Sequence, residues 1–144
     1  MTRRLVQRAG EHGQDLIEFA LILPLLLLLL TGIMEFALAV MAYNTVANAA
    51  REGARYGIVH VRRDGSDCAA QAGAIEEAAR RLTVGLDQDR LDFTVSCSPS
   101  PTTGRLQVQV EAEYMHQFIT APLIMALGGD GTLPMYTVST MYVE

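Results

Sequence analysis

The sequence predicts an α+β chain: a long N-terminal helix with a transmembrane segment, packed on a small antiparallel sheet with a second, amphipathic helix. Three observations predict it. An uncharged, Leu-rich run fills residues 19–34. Apolar residues recur at helical spacing over 68–82. Apolar and polar residues alternate over 91–97 and again over 106–114. Of the 144 residues, 50% are hydrophobic and 19% are charged, with a mean hydropathy of +0.21. That balance excludes a disordered, solvating chain. The 11 basic residues, all Arg, stand against 16 acids for a net charge of −5, with no basic stripe, which argues against a nucleic-acid partner.

The first element is the apolar helix. Phe19–Met34 spans 16 residues, about 24 Å of helix at 1.5 Å per residue. A bilayer core of about 30 Å needs roughly 20 residues, so the span extends back to Leu16 or on past Glu35. After Glu35 the chain stays uncharged to Ala50, and Phe19–Ala50 is 32 residues, about 48 Å of helix. Part of the helix must therefore stand clear of the membrane. Pro24 lies inside the run, where membrane helices tolerate it. Arg3, Arg4 and Arg8 precede the span with only Glu11 against them, which keeps this end cytoplasmic and exports the rest. Arg51, Arg55, Arg62 and Arg63 weaken that bias. A rival is a cleaved secretory signal ending at Ala37-Leu38-Ala39, with a mature start near Val40. Glu35 just before that site, and a helical pattern unbroken through it, speak against this.

Two features of this helix have double readings. Glu35 sits at the outer membrane interface or binds a partner subunit within the membrane. Ala50, Gly53, Ala54 and Gly57 form a small-residue face, and Gly53-x-x-x-Gly57 has the spacing of close membrane helix packing. The same face serves equally for packing the helix on a sheet, which is preferred because this part lies outside the bilayer.

Residues 58–65 read as a turn, and Asp67 is expected to cap the second helix. Cys68, Ala72, Ile75, Ala79 and Leu82 form one face of it, with Glu76–Arg80 and Glu77–Arg81 as i, i+4 pairs on the other. Gly85 is expected to end it. Leu91, Phe93, Val95 and Cys97 alternate with polar residues as a half-buried strand. After the turn-rich 98–104, Leu106–Tyr114 is the clearest strand, and the two form a hairpin. Phe118–Leu127 is apolar and contains Pro122. A membrane-surface patch is one reading, and core packing is the ordinary one. Thr132–Val143 is the third strand. Cys68 and Cys97 are the only cysteines, which in an exported domain suggests a disulfide closing a 30-residue loop, worth about 3.5 kcal/mol by chain entropy. Two buried free thiols are the alternative.

The start of the helix is the most specific stretch. Gly13-Gln14-Asp15-Leu16-Ile17-Glu18-Phe19 follows a basic leader, with the carboxylate five residues after the glycine and an aromatic at the sixth. This resembles the cleavage site of type IV prepilins in the short-leader Flp/Tad form. Asn48-Ala49-Ala50-Arg51-Glu52-Gly53-Ala54-Arg55-Tyr56-Gly57 resembles the signature segment of TadE-like pseudopilins, and Ser139–Glu144 is weakly similar to their C-termini. The resemblance is specific over residues 3–57 and loose beyond.

The resemblance implies a pilin-like fold and a TadE-like minor pilin or pseudopilin of the tight-adherence (Tad, Flp) pilus, structural rather than catalytic. It implies a leader at 1–13, a long helix at 14–57 with its membrane segment at about 16–40, and an extracytoplasmic domain at 58–144. A prepilin peptidase would cut between Gly13 and Gln14. Glu18, with Phe19 beside it, would pair with the freed amine of a neighbouring subunit, although a carboxylate in a first turn is also favoured by the helix dipole alone. The implied partners are the membrane, the peptidase, other pilin and pseudopilin subunits and the Tad assembly machinery. The implied location is the cytoplasmic membrane, single-pass, or the pilus itself. Rivals are an anchored binding module unrelated to pili, and the small secreted protein. Neither a cofactor nor a small-molecule substrate is indicated. His12, His60 and His116 have no metal spacing, no nucleophile stands near a base, and Asp87-x-Asp89-x-x-Asp92 lacks the spacing of a calcium loop.

Overall fold

In the computed structural model, which describes residues 7–143 with side chains from residue 13, the element order is α-α-β-β-α-β. Arg3, Arg4, Arg8, Glu11 and His12, on which the expected leader and orientation rest, lie outside the described side chains. Helix α1 spans Gln7–His60 without a break at Pro24. It extends three residues further than expected, so the turn begins only at Val61. Two compact units divide the chain after Ala37.

In the first unit, residues 13–30 of α1 are exposed on every side. Residues 13–60 are long and apolar enough to cross a membrane. Thr31 satisfies its hydroxyl locally, donating to the Leu27 carbonyl at 2.7 Å, as a polar side chain on such a helix must.

The second unit starts at Leu38 and holds the core. Its portion of α1 buries Ala39, Ala42, Val46, Ala49, Ala50 and Ala54, all on one face. That face packs on an antiparallel sheet of three strands in the order β1 (Leu91–Pro99), β2 (Leu106–Gln117), β3 (Thr132–Tyr142). The alternation seen in sequence is the pleat: Val108, Val110, Ala112 and Tyr114 of β2 are buried, while Gln107, Gln109, Glu111 and Glu113 take the other face. The register sets Cys97 opposite Val108 and Tyr114 opposite Met135. Pro134 is tolerated because β3 is an outer strand.

Helix α2 (Cys68–Arg80) buries Ile75 and Ala79. Three expectations fail around it. Asp67 makes no side-chain cap; its Oδ1 instead accepts from the Arg62 N–H at 2.8 Å and closes the preceding turn. Gly85 does not end the helix, which stops at Arg80, where the Thr83 hydroxyl takes the Arg80 carbonyl at 2.7 Å. Gly85, at φ +93°, shapes the next turn. Leu82 falls beyond the helix and is half exposed. The larger correction concerns Phe118–Leu127. Helix α3 (Ala121–Ala126) lies there, but only Ala121 is buried, so the segment is not core.

Candidate functional site

The sequence places its candidate processing and assembly residues on the first turns of the described helix. Gly13 is open: a Cβ added there would meet nothing within 4 Å. Gln14, Asp15, Glu18 and Phe19 are all exposed. Gln14 Nε2 donates to Glu18 Oε1 at 3.2 Å, the i, i+4 spacing that puts both on one side of the helix. Glu18 therefore faces the position that a free amine at residue 14 would occupy, one turn away. Glu35 is only 7% exposed within this chain.

The small-residue face lies inside the second unit. Gly57 abuts β2 and α2 together: a Cβ there would fall 2.7 Å from Val108 Cγ1 and 3.1 Å from Ile75 Cδ1. One added at Gly53 would meet Ala79 Cβ at 3.2 Å and Val110 Cγ1 at 3.5 Å. Ala50 and Ala54 are fully buried. All four residues thus let α1 approach the sheet and α2 closely. Cys68 and Cys97 are joined in a disulfide with Cα atoms 6.3 Å apart, which ties the start of α2 to β1.

Arg80 shows what spacing alone does not reveal. Beyond its i, i+4 pair with Glu76 at 2.8 Å, it donates to Gln88 Oε1 and the Leu91 carbonyl and lies over the Phe93 ring. It fastens the end of α2 to the start of β1. The partner pair Glu77–Arg81 is exposed and of little energetic weight.

On the surface outside the membrane segment, Arg55 binds Glu52 with two nitrogens at 2.7 and 2.9 Å, and these bonds hold the Glu52 carboxyl below its ordinary range. The Ser66 N–H does the same for Asp64. Tyr136 is pushed up by its hydrogen bond to Glu111 and by partial burial. Asp87 accepts from the Asp89 N–H and pairs with Arg90, so this acidic run caps a short 3-10 turn. Among the described residues no cluster of His, Cys, Asp or Glu is arranged to hold a metal ion.

The described residues thus hold one helix apolar enough to cross a membrane and a small α+β unit. Residues 13–55 match the family model described as TadE-like protein. The matched stretch opens on Gly13 and takes in Glu18, Glu35 and Gly53, so the chain is similar to that family where its sequence most resembled it. No curated protein and no solved structure matches the chain.

Proposed function

We propose that this chain is a minor pilin or pseudopilin of a tight-adherence pilus, acting by subunit packing rather than by catalysis. It is made with its N-terminus in the cytoplasm, cut between Gly13 and Gln14 by a prepilin peptidase, and held in the cytoplasmic membrane by α1. From there it joins other pilin subunits and the Tad assembly machinery. The match of residues 13–55 supports the association with such pili.

The observation that carries the processing step is the open surroundings of Gly13. In a helix interior, glycine is less favourable than alanine by about 1 kcal/mol. Packing among the described residues has no use for it, since a side chain there would meet nothing within 4 Å. A peptidase that must bring its own backbone close to the scissile bond does have a use for it.

Glu18 supplies the assembly contact. Cleavage gives Gln14 a positive amine, and a carboxylate in a low-dielectric helix assembly needs a cationic partner. Within one chain that pair is a loose contact at the membrane edge. Between neighbouring chains offset along the membrane normal it is desolvated, and removing one side of such a pair costs about 3–5 kcal/mol. Two variants test this. Gly13→Arg should leave the precursor at full length on a gel. Glu18→Gln should be cut and inserted normally yet fail to recover pilin subunits from solubilised membranes. Normal cleavage of the first, or full recovery of partners by the second, would count against the respective step.

A further inference from the structure

The segment between β2 and β3 leaves a group of apolar side chains uncovered by its own unit. Ile119, Leu123, Met125 and Leu127 are 62%, 59%, 52% and 82% exposed. Between Gln117 and Tyr136 the only charge is Asp130. At the end of α2, Val84 is 88% exposed. Singly exposed apolar residues are ordinary, but a contiguous uncharged group of them marks an interaction surface.

Register shows which end of the second unit carries this group. Gly57 lies against Val108 and Gly53 against Val110, so α1 runs antiparallel to β2. Four helical residues, about 6 Å, there match two strand residues, about 6.6 Å. Carried back along α1, the same register sets Ala39 and Ala42 beside the end of β2, where the chain turns into α3. The turn holding Val84 belongs to that end too, because Arg80 binds the Leu91 carbonyl and Leu91 pairs with Tyr114. The exposed group therefore gathers where α1 enters the unit. Leu38, the first residue of the unit, follows Met34, the last of the uncharged run, by four residues, about 6 Å of rise. The headgroup layer beside a bilayer core is about 5–8 Å deep.

We propose that the α3 segment, with Val84, is a second membrane contact: it seats on the lipid surface at the boundary of headgroups and acyl chains, beside the chain's own anchor. The proposal rests on α1 crossing the bilayer and is independent of any role in a pilus. The group contains no basic side chain, so its attraction is apolar and does not require anionic lipid. Its effect is to hold the exported unit down on the membrane rather than leave it free on its helix.

The sequence contains no Trp, so single tryptophans report cleanly. The full-length chain is reconstituted into phosphatidylcholine vesicles with and without lipids brominated near the top of the acyl chains. Leu127→Trp should emit to the blue and lose most of its fluorescence to the bromines, and adding anionic lipid should not change this. Thr102→Trp, on the exposed hairpin at the other end of the sheet, should emit as in water and be unquenched. Leu26→Trp, inside the span, should be quenched by bromines placed deeper in the chain. The proposal is overturned if Leu127→Trp behaves like Thr102→Trp while Leu26→Trp is quenched. It is also overturned if Leu127→Trp emits to the blue without bromine quenching, since protein, for instance a second copy, then covers the group. If Leu26→Trp is unquenched, the anchor itself is wrong and the proposal falls with it. All three sites are exposed, so none of the substitutions disturbs the core.

Discussion

Replacing Gly57 with alanine puts a methyl group where there is no room. The new Cβ would stand 2.7 Å from Val108 Cγ1, closer than carbon atoms approach, and 3.1 Å from Ile75 Cδ1. Neither neighbour can retreat easily, because Val108 and Ile75 are both fully buried. Overpacking of this kind costs about 1–3 kcal/mol, and two rigidly held neighbours argue for the upper end. Alanine in a helix returns about 1 kcal/mol of propensity, leaving a net loss of about 2 kcal/mol. Gly73, exposed in α2 with nothing within 4 Å, isolates the propensity term: Gly73→Ala should gain about 1 kcal/mol. For a unit of this size, 1 kcal/mol moves Tm by about 4 °C, so Gly57→Ala should melt about 8 °C lower and Gly73→Ala about 4 °C higher. Thermal unfolding of the full chain in detergent, followed by circular dichroism, reads both. Equal melting temperatures for the two variants would refute the close-packing argument. Unchanged stability in Gly57→Ala combined with weakened association between chains would return this face to intermolecular packing.

Two further outcomes follow from the second unit. Replacing Cys68 and Cys97 together with serine opens the loop between α2 and β1 and should lower stability by about 3.5 kcal/mol; denaturant unfolding of the oxidised protein and the variant measures it, and coincident curves would contradict it. Asp64, whose carboxyl is held low by the Ser66 N–H, contributes stability that is present above its unfolded pKa of about 3.9 and is lost as pH falls through the lower folded value. The stability gap between the protein and Asp64→Asn should therefore be open at neutral pH and close in acid, and a gap that persists undiminished in strong acid would show that the charge plays no part.

The elements that were legible in the sequence are those whose pattern and burial share one cause. Alternation over Leu106–Tyr114 is the pleat of β2, and the spacing of Ile75 and Ala79 is the buried stripe of α2. The apolar run from Phe19 could be nothing but helix in a membrane setting. What was illegible depends on what covers a residue, which composition does not encode. Phe118–Leu127 is as apolar as a core segment, yet Ile119, Leu123, Met125 and Leu127 are exposed, and only the small Ala121, against Gly131, is fully covered. Glu35 sits in an apolar stretch and is buried, and no local pattern announces that. Asp67 precedes a helix like a cap residue, but the Arg62 N–H competes for its carboxylate and wins. Arg80 is one of two equivalent-looking ion-pair partners in sequence; only the approach of β1 makes it a bridge. The candidate residues Gly13 and Glu18 come from the motif alone, and both are exposed on the described helix, as are all its residues from 13 to 30.

The central claim is that the chain is processed as a prepilin, and the first residue of the mature protein tests it most directly. The protein is purified from the membranes of cells that make it together with its prepilin peptidase, and its N-terminus is read by sequencing or mass spectrometry. The account predicts a chain beginning at Gln14, with residues 1–13 gone and α1 intact from its second described side chain onward. A chain that begins at Met1 or Thr2 is an unprocessed anchor, and one that begins near Val40 has lost the helix to a signal peptidase. Either result would contradict the account.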